Sequence, residues 1–492
     1  MARAQEEAIA ENIVEPLDQY RALAAFFDTF APVEQRWRRR NRTYHALVAR
    51  IMRFFVLPGA SVLEIGSGSG DLLAALRPTH GVGIDVSERM VQLARESHPE
   101  LDFFVASGEE VDLDGQTFDY IVLSDLVPYV HDLLALFDRV AAHSHPGTRI
   151  IINSYNPLWR PAFTVAEWLR LRPRKPLKNW VSPEDVENLL SLAGLEQVVL
   201  SRRILMPKRI PLLSGMLNGV VANLWPFQHF CVTWWIVARP VPQTADTLST
   251  SVICPCRNEQ GHIAELIRRL PTLGDDMDLV FVEGNSSDDT RGEIERQITL
   301  HPGRSIRLVD QPGVGKGDAV RAGFAAARND ALIILDGDLS VRPEDLPKFS
   351  RALAEGRGEL INGSRLVYDM EPGAMRFLNM VGNRLFSRAF KAITGQYVKD
   401  TLCGTKALRR ADYDRIVAGR PYFGEFDPFG DFDLLFGAAR LGLKIVDLPV
   451  RYQPRTYGRT NISRWSHGLL LLRMTFFALW KFRADIYRPN RR

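Results

Sequence analysis

The sequence predicts an α/β protein of two domains, each built around a mostly parallel sheet. Three observations predict it. The chain has 492 residues, too many for one ordinary core, so two domains of roughly 200–250 residues are expected. Short apolar runs alternate with helical patterns on both sides of residues 241–249, as strands joined by crossover helices do. Each half also opens with a strand that leads into a loop at its carboxyl end, where ligands sit in parallel sheets.

A composition of 46% apolar and 24% charged residues belongs to a globular protein. The net charge of +4 is modest for this length and argues against a general nucleic-acid binder. The four cysteines, Cys231, Cys254, Cys256 and Cys403, are too few for a disulfide framework and predict a reducing, cytosolic setting. Cys254 and Cys256 alternate along a strand, with no second pair or histidine set to complete a zinc site. The N-terminal MARAQEEAIAENIVEP is charged and lacks the apolar core of a secretory signal.

In chain order, two helical patterns (12–30 and 34–56) precede SVLEI, a helix, GVGID, a helix, DFFVA and FDYIVLSD. Residues 210–238 carry no formal charge, a run long enough to span a bilayer. Pro211, Asn218, Asn223, Pro226, Gln228 and His229 interrupt it, however, and its end, FCVTWWIVAR, reads as a buried strand. RPVPQTADTLST has two prolines, small polar residues and no apolar period. Residues 241–249 therefore read as a linker between a domain over 1–240 and another over 250–492. Beyond it come TSVICP, DLVFVEG, IRLVD and ALIILDGD, separated by helical patterns. The C-terminal LLLLRMTFFALW (469–480) is short, holds Arg473, and reads as a core or interfacial amphipathic helix.

In the first half, Gly66, Gly68 and Gly70 follow a strand and open a helix. Without Cβ atoms the backbone can turn tightly and approach a ligand, and the helix start adds N–H donors. Asp85 ends the next strand, where a carboxylate can accept ribose hydroxyls. A dinucleotide site also uses such a loop, but its third glycine would fall at Asp71. Glu64, just before the first glycine, suits a ligand with a cationic end better than a pyrophosphate.

VLEIGSGSGDLL, GVGIDVSERMVQLAR and FDYIVLSDLVPYV resemble, in order, the motifs of class I S-adenosylmethionine-dependent methyltransferases, over about residues 40–240. The resemblance implies a Rossmann-like sheet that binds S-adenosylmethionine. It sets Glu64, Gly66 and Gly68 along the methionine and ribose, with Gly70 in the same loop. Asp85 would hold the ribose hydroxyls, and Val86 and Met90 would lie near the adenine. Ser107 stands where many members have an acid against the adenine amine. Methyl transfer is an in-line displacement, and a hydroxyl acceptor needs a base. Asp125, Tyr129 and His131 follow the relevant strand, and Asp125 is the catalytic candidate. Their plainer readings are a strand-end acid, a core aromatic and a surface histidine.

In the second half an apolar strand ends in Asp336-Gly337-Asp338. Neighbouring carboxylates repel unless a cation lies between them. They can share a hard divalent ion with phosphate oxygens, or one of them can cap the following helix. The surrounding segments are TSVICPCRNEQGHIAEL, VFVEGNSSDDT, GVGKGDAVRAGF, NGSR and DTLCGTK. Their order and spacing resemble family-2 glycosyltransferases of the GT-A fold, most of all the polyprenyl- and dolichyl-phosphate sugar synthases, over about 250–465.

That resemblance implies inverting transfer of a sugar from a nucleotide-diphosphate sugar to a lipid phosphate. It places Pro255, Asn258 and Glu259 in the nucleotide loop. Glu283 takes the next acidic position, where the usual pair of aspartates is replaced by Glu283-Gly284. Lys316 lies in the Gly-Lys-Gly turn. Asp336 and Asp338 would contact nucleotide and Mg²⁺ or Mn²⁺, Asp338 most directly. A P-loop reading fails at Asp310 and Gly317. Arg365, and Arg459, Asn461 and Arg464 in YGRTNISRW, match positions used near phosphates, a role for which the arginine fork is suited. Asp431 and Asp433 resemble a later acidic motif. One of them could be a general base for a sugar hydroxyl, whereas a lipid phosphate is already ionised.

Three stretches mix basic and aromatic residues: QRWRRRNR (35–42), residues 158–180, and the C-terminal helix with Trp465, Trp480 and Lys481. Basic residues near an anionic leaflet contribute about 1 kcal/mol each, and Trp favours the headgroup region. Solvated helix faces are the plainer reading. The sequence thus predicts a bifunctional transferase, peripheral on the cytoplasmic membrane face, that binds no nucleic acid. One half would glycosylate a polyprenyl phosphate or related lipid-linked acceptor, and the other would methylate a glycan or glycolipid. The alternatives are that one domain only binds or scaffolds, or that the second half is a nucleotidyltransferase.

Overall fold

The computed structural model describes residues 16–169, 179–211, 213–242, 247–274, 276–367, 377–423, 431–453, 457 and 464–487. The chain forms two compact units that divide between Val241 and Pro242. From Arg483 onward, residues expected in the second domain belong instead to the first unit. There Ile486 and Tyr487 are buried.

The first unit begins with helices α1 (Pro16–Arg40) and α2 (Arg42–Phe55). The expected break near residue 32 is absent. Helix α1 runs through Pro32 and stops at Asn41, where Arg38, Arg39 and Arg40 complement the negative helix end. The sheet has seven strands: β1 (Ser61–Ile65), β2 (His80–Asp85), β3 (Asp102–Val105), β4 (Phe118–Ser124), β5 (Ser144–Tyr155), β6 (Leu195–Arg203) and β7 (Thr233–Pro240). Their order is β3-β2-β1-β4-β5-β7-β6. The first five run parallel, and β7 is antiparallel to both neighbours. The strand expected at the end of the uncharged run is thus β7, an inner strand with buried Trp234 and Trp235. Among the described residues no helix is long and apolar enough to cross a membrane.

The second unit repeats the logic. Strands β8 (Thr250–Cys256), β9 (Met277–Glu283), β10 (Ser305–Asp310) and β11 (Ala331–Ile334) are parallel, in the order β10-β9-β8-β11. The sheet continues with β13 (Lys406–Arg409), β12 (Leu360–Ser364) and β14 (Ile445–Pro449), of which β13 runs antiparallel to its neighbours. Val252, Phe281, Ile333, Phe349 and Ile361 centre its core.

In both sheets the chain adds three strands one way and then crosses to the far side of the first. The switch point lies between β1 and β4 in one unit and between β8 and β11 in the other. Crevices outside the carboxyl strand ends open at such points. Strand β8 is overlaid by helix α3 (Lys316–Ala326; α3 here being the helix that follows β10) at Gly323, where a Cβ would overlap Ile253 and sit 3.0 Å from a Val282 methyl. Gly323→Ala is expected to cost the second unit about 1–3 kcal/mol by overpacking. Urea denaturation followed separately for the two units should show only the second transition move.

Candidate active sites

At the first switch point the loop after β1 turns on Gly66 (φ 79°) and Gly68 (φ 53°). A Cβ on Gly66 would meet Leu126 at 2.8 Å. The loop borders a cleft whose walls include Glu64, Gly66, Gly68, Asp85, Val86 and Met90. Gly70 does not line the cleft. Its positive φ of 75° instead brings the backbone against Phe103, whose Cζ a Cβ would approach to 2.5 Å. Packing against Phe103 thus accounts for the glycine at this position, which the sequence had assigned to the cofactor loop.

Glu64 is 2% exposed, and its Oε2 has no hydrogen-bond partner among the described residues. Burial pushes its carboxyl up to about 8, against the pull of the Arg38 guanidinium and a backbone N–H from Leu73. An unpaired buried oxygen at the cleft wall fits a cationic ligand. Asp85 accepts the N–H of Gly68 at 2.8 Å and of Ser87 at 3.0 Å. Burial still raises its carboxyl, because it outweighs those bonds.

Asp125 follows β4 directly in a left-handed conformation (φ 53°) and also lines the cleft. The Tyr44 hydroxyl donates to it at 2.9 Å and the Asn153 amide at 2.8 Å. Burial, reinforced by the Asp125 charge, drives the Tyr44 hydroxyl well above its ordinary value. Tyr129 lines the cleft, whereas His131 is not among the lining residues. Ser107 donates to Glu109 at 2.7 Å, so an acid does border the cleft two residues beyond the position expected for it. Helix α1 contributes Tyr20, Phe27, Phe30 and Arg38 to the wall, a part of the site the sequence reading left out. With Leu23 and Glu34, which also line it, they recur every three or four residues, and that spacing was the available signal.

At the second switch point Asp336 and Asp338 follow β11, both half-buried. Gly337 between them packs on the loop after β8. A Cβ there would lie 3.3 Å from Pro255 O and 3.5 Å from Glu259 Cγ. Lys316 Nζ is 2.7 Å from Asp336 Oδ1. Asp338 accepts the Ser340 N–H at 3.0 Å, closing a turn, and the next α-helix begins only at Leu346. A helix cap is therefore not its role. A Cβ at Gly404, in the DTLCGTK segment, would overlap both Lys316 Nζ and Asp336 Oδ2. That glycine is what lets the ion pair form.

Asn258 (φ 59°) accepts the Ser287 N–H at 2.7 Å. Buried Glu259 lies 2.8 Å from His262 Nδ1. Burial opposes the charge of Glu283, but the Ser286 and Asn285 hydrogen bonds and Arg291 outweigh it and hold the carboxyl below its usual range. The hard oxygens of Asp336 and Asp338 are suited to Mg²⁺ or Mn²⁺. Among the described residues no group of three or more His, Cys, Asp or Glu side chains is placed to hold a metal. Diphosphate oxygens and water would have to complete such a shell.

A methyltransferase domain model matches residues 36–200, and a glycosyl transferase family 2 model matches residues 251–417. The chain carries a methyltransferase domain and a family 2 glycosyltransferase domain. Glycosyltransferase AglJ of Haloferax volcanii is 34% identical over 214 residues, 43% of this chain and 66% of that protein. Undecaprenyl-phosphate 4-deoxy-4-formamido-L-arabinose transferase of an Enterobacter species is 26% identical over 223 residues, 43% of this chain and 62% of that protein. The chain thus spans just under two thirds of the length of these curated relatives. A SAM-dependent methyltransferase structure from Thermotoga maritima is 17% identical with a TM-score of 0.35, covering 44% of this chain and 99% of that one.

Two expectations for the glycosyltransferase domain need correction. Arg365 is not presented to a phosphate. Its fork donates to buried Asp400 at 2.7 and 2.8 Å, and its guanidinium lies 5.1 Å from the Tyr452 ring centre. Asp433 is not a free carboxylate either: its Oδ2 accepts both Arg420 bonds, at 2.6 and 2.9 Å, so that oxygen would have to give up the pair before taking a proton. Arg459 and Asn461 lie outside the described residues, as do the side chains of Asp431 and Arg464.

The methyltransferase domain yields a pH prediction. A carboxyl raised to about 8 favours its neutral form, so it stabilises the free protein below the ordinary carboxyl range. That contribution fades as pH rises through about 8. A cation bound at Glu64 reverses the preference and expels the proton. Titration calorimetry near neutral pH, in buffers of different ionisation enthalpy, should show S-adenosylmethionine binding release about one proton. Glu64→Gln should release markedly less.

Proposed function

We propose that the chain is a bifunctional transferase. The glycosyltransferase domain moves a sugar from a nucleotide-diphosphate sugar to a polyprenyl phosphate or related lipid-linked acceptor, with inversion at the anomeric carbon. The methyltransferase domain moves a methyl group from S-adenosylmethionine to a glycan or glycolipid acceptor. The observation that carries the reading is the Asp336-Gly337-Asp338 turn, seated on the Pro255–Glu259 loop and tied to Lys316.

In this reading Asn258, Glu259 and Glu283 face the nucleotide, while Lys316 and Asp336 set the diphosphate end. Asp336 and Asp338 would hold Mg²⁺ or Mn²⁺, which when bound withdraws charge from the leaving diphosphate. An acceptor oxygen attacks from the opposite face. The Arg420 partnership of Asp433 favours a phosphate acceptor, since a phosphate oxygen is already ionised and needs no base. The name of the undecaprenyl-phosphate relative supports the same class of acceptor.

In the methyltransferase domain, Glu64 meets the cationic end of the cofactor and Asp85 its ribose hydroxyls. Asp125, oriented by Tyr44 and Asn153, takes the proton of a hydroxyl acceptor. Glycan chemistry in both halves would place them in one route to a methylated, lipid-linked glycan.

Asp338→Ala is expected to lower sugar transfer by about 10²–10³-fold, the scale of losing one preorganised electrostatic contact, and to leave S-adenosylmethionine affinity intact. The check is transfer to a polyprenyl phosphate from a panel of nucleotide sugars, read as nucleoside diphosphate released. Unchanged turnover by the variant would remove the acidic turn from the reaction. Release of pyrophosphate instead would make the domain a nucleotidyltransferase.

A further inference from the structure

The methyltransferase unit carries an apolar surface that its site does not use. Twelve of the twenty-six large apolar side chains exposed among the described residues fall in two segments, 158–169 and 210–230. Trp168 is 72% exposed and Trp225 is 79% exposed. The segments meet: the Trp159 indole donates to Phe230 O at 3.0 Å, and the Asn156 amide donates to His229 O and Cys231 O. Asn218 fixes the short helix Leu213–Gly219 beside them by bonding Met206 through both its N–H and its carbonyl. An exposed apolar area this concentrated marks an interaction surface.

The charges around it select the partner. No Asp or Glu occurs between Glu196 and Asp246. Arg160, Lys208 and Arg209 are all exposed beside the apolar side chains. The helices here, Arg160–Trp168 and Leu213–Gly219, are far too short to span a bilayer. Glu167 is the one acid within the two segments, against Arg160, Lys208 and Arg209. Apolar side chains with exposed Trp and a mainly basic flank suit the headgroup layer of an anionic bilayer, on which short helices lie flat.

We propose that segments 158–169 and 210–230 of the methyltransferase domain dock the protein on an anionic lipid bilayer. Trp168, Met216, Trp225 and Phe227 enter the headgroup layer, while Arg160, Lys208 and Arg209 face lipid phosphates. This surface is distinct from both candidate active sites and does not depend on the nature of the sugar acceptor.

The test is flotation of the full chain with vesicles of phosphatidylcholine alone or of phosphatidylcholine mixed with phosphatidylglycerol. The expected result is flotation with the mixed vesicles, weakened by salt and reduced about tenfold or more in the double variant Trp168→Ser/Trp225→Ser. Lys208→Ser/Arg209→Ser should lose only the preference for phosphatidylglycerol. S-adenosylmethionine affinity and circular dichroism should be unchanged in both variants, which separates lost docking from misfolding. Flotation by the tryptophan variant equal to the parent would overturn the proposal. So would absence of flotation together with concentration-dependent self-association that the same substitutions abolish, since the surface would then join copies of the chain.

Discussion

A carboxylate at the carboxyl edge of a parallel sheet has to be compensated, and both halves of this protein are organised around that constraint. The strand buries the acid from both faces, so desolvation disfavours its charge unless a cation or several N–H groups reach it. In the glycosyltransferase domain Lys316 meets Asp336 directly, and Gly404 leaves the room for it. In the methyltransferase domain Arg38 is near enough to pull on Glu64 but makes its ion pairs with Glu34 and Asp71. Asp336 is thus ion-paired, while Glu64 is buried and its neutral form is favoured.

The same constraint decides which acids remain chemical. Asp400 and Asp433 each sit opposite an arginine, within 2.7 and 2.6 Å. The Arg365–Asp400 pair is bidentate, which makes it strong and directional, whereas both Arg420 donors meet Oδ2 of Asp433. Asp400 is completely buried, so removing Arg365 would leave an uncompensated charge in the interior. Arg365 also lies over Tyr452, whose hydroxyl burial raises and the charges of Asp338 and Asp336 raise further, against the pull of Arg365.

Much of the architecture was legible because strands buried on both faces read as continuous apolar runs. SVLEI, GVGID, TSVICP and ALIILDGD stand out for that reason, and so do the loops that follow them. The later strands were harder. Strand β12 is LINGS and β13 is KALR, short and partly polar in sequence although buried. Their place in the sheet comes from pairing with distant partners, which local pattern does not record. The cleft wall was legible in Glu64, Gly66, Gly68 and Asp85, which the structure brings together, but the place of Gly70 was not, since its need for glycine comes from Phe103, over thirty residues away. Arg365 and Asp433 went wrong for a related reason. Their motif positions gave the residue types, while the partners that occupy them lie 35 and 13 positions away.

The helix starts at the two switch points differ in charge. After β1 the helix opens at Asp71, whose carboxylate meets the positive helix end and pairs with Arg38 and His98. An incoming pyrophosphate would face Asp71 and Glu64 together, so the glycine loop there cannot serve as the anion cradle that its spacing suggests. After β10 the helix opens at Lys316, which adds a full positive charge to the helix end. Asp336 consumes part of that charge, and a diphosphate approaching the turn must share Lys316 with it. A divalent ion between the two aspartates would relieve that competition, because it draws the carboxylates toward itself and leaves Lys316 for phosphate oxygens. Lys316 and Asp336 thus neutralise each other as a pair, whereas burial in the other domain favours the neutral form of Glu64.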